Sequence, residues 1–520
     1  MTWKAEAEDI AARRKLAEGM GGPESIERQH GQGRLTVRER IESLTDGGSF
    51  QEVGKLAGKT TYEDGKLVKM VPAPYVGGLA KIDGRPVAIG GEDFTVRGGS
   101  SWGSDRRKGG QGGFVEDLAH QYRIPLVNLC DGAGGTVTSA KRRGYTTFPG
   151  VHGFGRSVQL LSEVPVVSAV LGTAAGGPAG RAILSHWSVM VKGSAQIFAA
   201  GPPVVERSLG HKNTKEELGG FEVAVKTAGT IDNAADSEQE CFGMIRRYLS
   251  FMPQTVWQLP PEVPCEDDPA RRDEELLSIV PRNRRQPYNM RKLLEMVADK
   301  GSTFEIQPLF ARAVITTLGR LNGKAVGFVA NNPMINGGAM DARSAKKQAH
   351  FIQLCDTFHI PLVFLVDVPG FMVGLQAEQQ ATLREGMRCL YMASQATVPM
   401  LTVVIRKCYG MAGMATTDRE GLDLKIAWPS AEWGSLPVEG GAAAAFRREI
   451  AQSPDPQKRL EEIETELRSL SSPLLTAEAF AVEDVIDPRE TRPYLCRFID
   501  AMQARLETSV GMKMRSGVAP

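Results

Sequence analysis

The feature of this sequence that most constrains its fold is an internal repeat with a period near 235–250 residues. Segments of the first half recur in the same order in the second half, which indicates a duplicated chain rather than chance similarity. The matched pairs are LTDGGSFQE (44–52) with VADKGSTFE (297–305), KIDGRPVAI (81–89) with RLNGKAVGF (320–328), RIPLVNLCDGAGG (123–135) with HIPLVFLVDVPG (359–370), and VPVVSAVLGTAAGG (164–177) with VPMLTVVIRKCYGMAG (398–413).

The repeated segments predict an α/β fold. Each contains a short apolar run, rich in Val, Ile and Leu and closed by Gly or Asp, which is typical of a buried parallel strand. Between the runs lie helical patterns such as 345–358, whose apolar residues share one face. Alternating strands and helices predict right-handed βαβ units. We therefore expect two related domains, residues 1–262 and 286–520, joined by a linker at 263–285 that is rich in proline and charge.

Composition excludes several classes of function. The formal net charge is +1, so there is no overall electrostatic reason to bind nucleic acid. The N-terminus lacks the apolar core of a secretory signal, and no apolar stretch approaches the roughly 18 residues that span a bilayer. The seven cysteines form no C-x-x-C pair and the seven histidines show no metal-ligand spacing. We expect a cytoplasmic protein without a bound metal.

Two glycine-rich turns stand at equivalent places in the two halves. In each half a strand begins at Val-Pro, and eleven residues after the proline comes a glycine, Gly176 in the first half and Gly410 in the second. Small residues between a strand and a helix expose adjacent backbone N–H groups, which can hold an oxygen that becomes negatively charged. The glycines of one loop alone would be explained by a tight turn. Because they are paired in a duplicated chain, the binding function is the better interpretation.

Several segments resemble the carboxyltransferase β subunits of biotin-dependent acyl-CoA carboxylases, the group of the propionyl-CoA, acetyl-CoA and methylcrotonyl-CoA enzymes and related decarboxylases. The resemblance runs in order along nearly the whole chain. The segments that carry it are RQHGQGRLTVRERIESLTDGGSFQE (28–52), GEDFTVRGGS (91–100), EELGG (216–220), LVDVPGFMVG (365–374), VPMLTVVIRKCYG (398–410) and VIDPRETR (485–492).

This resemblance implies two crotonase-like domains (ββα superhelix) and an active site between the N-terminal half of one subunit and the C-terminal half of another. The implied reaction moves the carboxyl group of carboxybiotin to the α-carbon of an acyl-CoA through an enolate. The implied partner is a separate biotin carboxylase and biotin carboxyl carrier (α) subunit. The family usually forms a hexamer built as a trimer of dimers.

The resemblance also implies roles for individual residues. Gly176 and Gly177 would form the oxyanion hole of the N-terminal half, and Met411 and Ala412 that of the C-terminal half. Analogy with crotonases puts the acyl-CoA carbonyl at the first hole, which leaves carboxybiotin to the second, although the assignment stays open. The expected substrate-binding residues are Gly132, Ala133, Gly134, Gly135, Ala175, Gly410, Gly413, Met414, Lys141 and Arg142.

Three features of the sequence have alternative explanations. The basic clusters 106–108 and 141–143 are candidates for the CoA phosphates, but a solvated surface explains them equally well. Lys347 has the spacing of a family lysine, or is an exposed helix lysine. The motif 512–514, Met-Lys-Met, imitates a biotin attachment site, but only six residues follow it. An attachment site needs a small β-domain on both sides, so biotin is expected on another chain.

Some residues depart from the pattern of propionyl-CoA enzymes. Gly413 and Met414 stand where Tyr and Asp are common, which enlarges that part of the site and makes it apolar. Gly180 replaces a frequent tyrosine, which is expected to remove bulk and leave room in the first half, and Ala224 and Glu385 replace frequent histidines. The acyl group is therefore expected to be bulkier than propionyl or of different polarity.

Two other functions are compatible with the same residues. The reaction run in reverse would make the chain a subunit of a biotin-dependent acyl-CoA decarboxylase coupled to a sodium pump. A chain that uses the duplicated fold only for assembly would be a non-catalytic scaffold.

Overall fold

The structure is a computed structural model and describes residues 2–100, 114–135, 141, 144–146, 154–416, 424–515 and 518–520. The chain divides into two compact units, unit 1 (Met1–Trp257) and unit 2 (Gln258–Pro520). Among the described residues, no helix is long and apolar enough to cross a membrane.

Unit 1 is organised around one mixed sheet. Its strands are β1 (Gln51–Glu52), β2 (Gly58–Glu63), β3 (Lys66–Pro72), β4 (Tyr75–Ile82), β5 (Arg85–Glu92), β6 (Leu126–Gly132), β7 (Val166–Ala175), β8 (Trp187–Val191), β9 (Gln196–Phe198) and β10 (Asn233–Ala235). Its helices are α1 (Lys4–Glu18), α2 (Pro23–His30), α3 (Val37–Leu44), α4 (Phe114–Tyr122), α5 (Gly155–Leu160), α6 (Gly177–Ile183), α7 (Pro202–Leu209), α8 (Lys215–Gly219) and α9 (Glu238–Phe251), with a 3₁₀ turn at Arg97–Gly99 and a π turn at Glu222–Thr227.

Unit 2 repeats this plan. Its strands are β11 (Phe304–Ile306), β12 (Val314–Leu321), β13 (Lys324–Asn331), β14 (Leu362–Val368), β15 (Met400–Tyr409), β16 (Leu424–Ala427), β17 (Glu432–Gly434) and β18 (Asp484–Val485). Its helices are α10 (Met290–Val297), α11 (Ala342–Thr357), α12 (Leu375–Gln379), α13 (Thr382–Gln395), α14 (Gly410–Met414), α15 (Val438–Ala445), α16 (Arg447–Gln452), α17 (Pro456–Ser469), α18 (Pro473–Glu478), α19 (Thr491–Ala501) and α20 (Gln503–Glu507), with 3₁₀ turns at Glu274–Leu277, Asn336–Gly338 and Pro488–Glu490.

The two sheets have the same topology, as the sequence repeat predicts. The strand order is β1-β4-β5-β6-β7-β8-β10 in unit 1 and β11-β12-β13-β14-β15-β16-β18 in unit 2. The first two pairings of each sheet are antiparallel and the later ones parallel. In each sheet one further short strand pairs with the end of the long central strand, β9 with β7 and β17 with β15. The predicted α/β class and the duplication are confirmed.

The helix predicted at 345–358 is α11. Asp341 caps its N-terminus by accepting a hydrogen bond from the Ser344 backbone N–H at 2.8 Å. The predicted apolar face is buried in the structure. Lys347, also in α11, is buried, and its ammonium donates to the carbonyl oxygens of residues 307, 310 and 314 at 2.7, 3.1 and 2.8 Å. The exposed-lysine alternative is therefore wrong, since the ammonium ties α11 to the loop before β12.

The proline- and charge-rich segment expected as a linker, 263–285, lies within unit 2. Leu276 is buried in the same apolar core as the central strands β12 to β15. Arg271 donates to the Ala298 carbonyl at 3.0 Å, and Arg492 donates to the Asp267 carbonyl at the same distance. The boundary between the two units lies before this segment, after Trp257.

A buried ion network holds the central strands of unit 1. The Arg40 guanidinium donates to Asp131 at 2.9 Å and to the two Glu238 oxygens at 2.9 and 2.7 Å, and the Nη2 that binds Glu238 also donates to the Leu171 carbonyl at 3.1 Å. Arg40 and Asp131 are almost fully buried. Because two carboxylates share one guanidinium away from water, removal of the cation leaves their charges uncompensated.

We predict that Arg40→Met lowers the free energy of unfolding by about 3–5 kcal/mol, since it breaks a buried ion pair from one side. The measurement is urea unfolding followed by circular dichroism. Arg28→Met is the matched control, because its pair with Glu24 is exposed and is worth about 1 kcal/mol or less. Equal losses in the two variants would contradict the prediction.

Candidate active site

The glycine turn of unit 1 lies where β7 meets α6. Ala175 ends the strand, Gly177 begins the helix, and Gly176 between them has φ +61°, a conformation that L side chains rarely adopt. The loop after β6 contacts this turn closely. A Cβ on Gly134 would lie 2.5 Å from the Ala175 carbonyl oxygen, and one on Gly132 would lie 3.0 Å from the Pro178 ring. The structure therefore brings the predicted residues 132–135 and 175–177 together.

The glycine turn of unit 2 has the same form. β15 ends at Tyr409 and α14 begins at Gly410, which has φ +59°. The match in position and in φ to Gly176 makes the two turns structural equivalents, as the count from each Val-Pro predicts. Met411 is partly exposed, whereas the Ala412 side chain is fully buried.

Both turns begin a helix whose first N–H groups have no partner within the helix. Superposing the two sequences at Gly176 and Gly410 pairs Gly177 with Met411 and Pro178 with Ala412. Proline has no N–H, so the first unit offers donors at 176 and 177, while the second also offers one at 412. The expected donor pairs, 176–177 and 411–412, therefore do not stand at equivalent positions, because Gly176 aligns with Gly410.

A buried aspartate supports each turn from the neighbouring strand. In unit 2 the Asp367 carboxylate, at the end of β14, accepts from the Arg406 guanidinium at 2.9 Å and from the Lys407 backbone N–H at 3.2 Å. Both donors lie just ahead of Gly410 on β15. In unit 1 the equivalent position is Asp131, held by Arg40. In both units a buried carboxylate beside the turn is thus paired with an arginine, which comes from the turn-bearing strand β15 in unit 2 and from α3 in unit 1.

Unit 2 contains a cavity of about 1200 Å³ that opens at its glycine turn. Most of its wall is apolar, and Lys425 is the one charged side chain among the lining residues that are described. The predicted residues Gly410, Met411, Gly413 and Met414 line it, whereas Ala412 does not.

Two titratable side chains beside the unit 2 turn, Cys408 and Tyr409, are neutral near pH 7. Burial raises the pKa of the Cys408 thiol, and burial together with the nearby Glu432 carboxylate raises the pKa of Tyr409 to about 12. A thiol with a raised pKa is a poor nucleophile. The geometry at this turn therefore favours backbone donors over covalent catalysis by Cys408.

Other predicted site residues have different surroundings from those expected. Lys141 is exposed, and Arg142 and the cluster 106–108 lie outside the described residues. The space expected next to Gly180 does not exist, because a Cβ there would lie 2.8 Å from the Phe154 ring. The expectation that Gly180 makes room was wrong, since a side chain that is distant in sequence fills the gap.

The Met-Lys-Met motif at 512–514 is not displayed on a β-hairpin. It follows α20 by a few residues, and the Lys513 ammonium donates to the Thr397 hydroxyl at 2.7 Å and to the Ser509 carbonyl at 3.3 Å. Because this amine is hydrogen-bonded to the body of unit 2, its surroundings agree with the expectation that biotin is carried by another chain.

Sequence reasoning did not assign residues 369–373 and 433–437, which form a large part of the cavity wall. A signal existed for the first group, because the repeat aligns 367–371 with the predicted loop 131–135. For the second group there was none, since apolar residues after a two- or three-residue strand look like ordinary surface.

Comparisons with known proteins identify the family of this fold and site. A family model described as "Carboxyl transferase domain" matches residues 28–516. The chain is 34% identical to the propionyl-CoA carboxylase carboxyltransferase subunit of Haloferax mediterranei over 520 residues, 99% of each chain. It is 33% identical to the methylmalonyl-CoA decarboxylase subunit alpha of Veillonella parvula over 95% of each chain. The crystal structure of the transcarboxylase 12S hexamer, with methylmalonyl-coenzyme A and methylmalonic acid bound, matches with a TM-score of 0.88 at 33% identity, over 100% of this chain and 98% of that one.

The chain belongs to the carboxyl transferase family. The predicted crotonase-like fold, the enzyme class and the cofactor are confirmed with it, because the family carries out biotin-dependent carboxyl transfer on CoA thioesters.

We predict that Gly134→Ala lowers carboxyl transfer by at least tenfold. The added Cβ would lie 2.5 Å from the Ala175 oxygen, and φ at this residue is +76°, so the loop must move away from the turn at 176. Activity and melting temperature are measured together. Gly243→Ala, in α9 with open space around its Cβ, is the control and should keep full activity. An active Gly134→Ala enzyme would show that the contact between the two loops is dispensable.

Proposed function

We propose that this protein transfers the carboxyl group of carboxybiotin, delivered on a separate carrier protein, to the α-carbon of an acyl-CoA. The observation that carries the proposal is the pair of equivalent turns at Gly176 and Gly410, each with φ near +60° and each followed by helix N–H groups. Carboxyl transfer of this kind generates two oxyanions, and a duplicated chain with one such turn in each half has a donor set for each.

The two donor sets are proposed to act on different oxygens. Gly176 and Gly177 hold the thioester oxygen as the enolate forms, and Met411 and Ala412 hold the ureido oxygen of biotin. When bound, carboxybiotin supplies the CO2 and the ureido nitrogen that accepts the α-proton. The chain's own contribution is to stabilise charge as it develops, and one such donor is typically worth about 2.7–4 kcal/mol of barrier.

The division of labour between the halves follows from this assignment. Unit 1 would bind the CoA thioester, with residues 132–135 and Ala175 beside the acyl carbonyl and Lys141 and Arg142 towards the CoA phosphates. Unit 2 would receive the biotin ring at Gly410, Gly413 and Met414. The apolar wall of its cavity suits the uncharged bicyclic ring, and the N–H groups at 411 and 412 suit the ureido oxygen.

Assembly and partners are proposed by analogy with relatives. A transcarboxylase 12S core of the same fold is a hexamer, and we propose a homohexamer here, arranged as a trimer of dimers with each site shared between two subunits. The proposed partner is a biotin carboxylase with its biotin carrier, and the proposed location is the bacterial cytoplasm or the mitochondrial matrix.

The direction of transfer has one specific alternative. The Veillonella parvula relative is a methylmalonyl-CoA decarboxylase subunit, and both directions use the same donors. Incubation of the purified chain with biotin carboxylase, biotinylated carrier, ATP, bicarbonate and acyl-CoA tests the main proposal. Formation of a carboxyacyl-CoA supports it. Decarboxylation of a carboxyacyl-CoA without ATP-dependent synthesis would favour the reverse function, and inactivity in both assays would favour a scaffold.

We predict that Ala412→Pro lowers kcat by about 10²–10³-fold, because it removes one N–H donor. The change copies the residue that unit 1 has at the equivalent position, Pro178, which its helix tolerates in the first turn. Ala412→Gly keeps the N–H and is the control, expected to lie within about threefold of the original enzyme. Melting temperatures of both variants are compared. Full activity of a folded Ala412→Pro enzyme would remove residue 412 from the proposed oxyanion hole.

A further inference from the structure

We infer that the cavity of unit 2 holds the distal part of a long apolar acyl chain, so that the substrate is the CoA thioester of a long apolar acid rather than acetyl- or propionyl-CoA. The inference rests on the proposed function, because it takes the donors at 411 and 412 as the place of the ureido oxygen.

The cavity of unit 2 is larger than the biotin ring requires. Pockets of roughly 300–1,000 Å³ enclose most of a drug-sized ligand. At about 1200 Å³ the unit 2 cavity exceeds that range. The bicyclic ring of biotin is smaller than a drug-sized molecule, so the ring alone leaves most of the cavity unfilled. A second group must occupy the rest, or water must fill an apolar space.

The wall of the cavity is mainly apolar. The strand β15, the helix α13 and the loops after β14 and β15 contribute aliphatic, thioether and aromatic side chains, with no carboxylate among the described lining residues. The apolar part of this surface gains free energy by burying methylene groups. The polar lining groups, among them Ser394, Lys425 and Ser435, are fewer than the apolar ones. The large apolar side chains of the wall include Phe371, Met372, Leu390, Met400, Met411 and Met414.

The residues of the unit 2 glycine turn, 410–414, are all small or apolar. Gly413 has no side chain, and Met414 is uncharged and exposed towards the cavity. A Cβ on Gly413 would lie 2.9 Å from the Cys408 sulfur, so a larger residue would have to displace that strand. Gly413 therefore packs closely on Cys408 and adds no open space, while Met414 makes the cavity apolar beside the turn.

The reacting α-carbon of the acyl group lies at the mouth of the cavity when biotin binds as proposed. The α-carbon of the acyl group receives the carboxyl group, so it lies next to the biotin ring during transfer. The rest of the acyl chain begins at that carbon. With the ring at the donors of 411 and 412, the chain starts at the mouth of the unit 2 cavity, whichever residues hold the CoA moiety.

The acyl-length profile of the original enzyme is the first test. Each buried methylene contributes about 0.8 kcal/mol, which is about fourfold in kcat/KM. Acetyl-, butyryl-, hexanoyl-, octanoyl- and decanoyl-CoA are compared in the complete carboxylation assay, and each step of two methylenes is expected to raise kcat/KM by about fifteenfold until the cavity is full. A profile that peaks at acetyl- or butyryl-CoA would overturn the inference and leave the proposed function intact.

A variant that narrows the cavity is the second test. Ala393, on α13, is buried and lines the cavity, so Ala393→Phe places a ring inside it. We predict at least a 30-fold loss of kcat/KM with decanoyl-CoA and a loss within about threefold with butyryl-CoA. Ala504→Phe makes the same change on the exposed side of α20, away from the cavity, and should leave the profile unchanged.

Measuring the binding of acyl-CoA without the biotin-carrying partner distinguishes failure of this inference from failure of the proposed function. Each acyl-CoA is titrated calorimetrically into the homo-oligomer, and affinity should rise with chain length in the original protein and in Ala504→Phe but not in Ala393→Phe. An equal loss at every length in Ala393→Phe, with a smaller assembly in size-exclusion chromatography, would mean that a second copy covers the cavity, and would overturn the inference. If no acyl-CoA is carboxylated, the proposed function fails. Length-dependent affinity would then keep the cavity as an acyl site, and length-independent affinity would remove it.

Discussion

In each half, a buried carboxylate paired with an arginine lies at the end of the strand beside the one that carries the glycine turn. Asp131 with Arg40 and Asp367 with Arg406 are nearly sealed from water, so each pair tolerates little movement. Asp367 also accepts a hydrogen bond from the backbone just before the turn of unit 2. Oxyanion stabilisation relies on donors that are in place before charge develops, and these pairs give the backbone that rigidity.

Duplication produced two equivalent frameworks, and single residues then made them different. Gly176 and Gly410 share a backbone conformation that only glycine adopts easily. Two positions after these glycines, Pro178 in unit 1 lacks the N–H that Ala412 keeps in unit 2. Such differences change the backbone donors that a turn offers without any change in sheet topology. The described residues of unit 2 also line a large apolar cavity, whose wall combines loops with the strand β15 and the helix α13.

Much of the fold and part of the site could be predicted because they depend on short-range patterns. The apolar runs became strands, and the helical periodicity at 345–358 became α11, capped by Asp341. Predictions about space were weaker. Gly180 looked like added room, but the ring of Phe154 fills that room, and Lys347 looked as suited to a surface as to a core. In both cases the deciding neighbour is far away in sequence, where periodicity carries no information.

By itself the sequence determined the duplication, the α/β class, the equivalence of the two turns and the family, because apolar periodicity, glycine positions and ordered motifs are properties of the linear chain. Only the tertiary structure decided which side chains stand around those turns. The contact of Gly134 with Ala175, the carbonyl cage of Lys347 and the volume and apolar wall of the unit 2 cavity all arise where segments distant in the chain pack together. Shape and burial are sums over such contacts, and therefore exist only once the chain has folded.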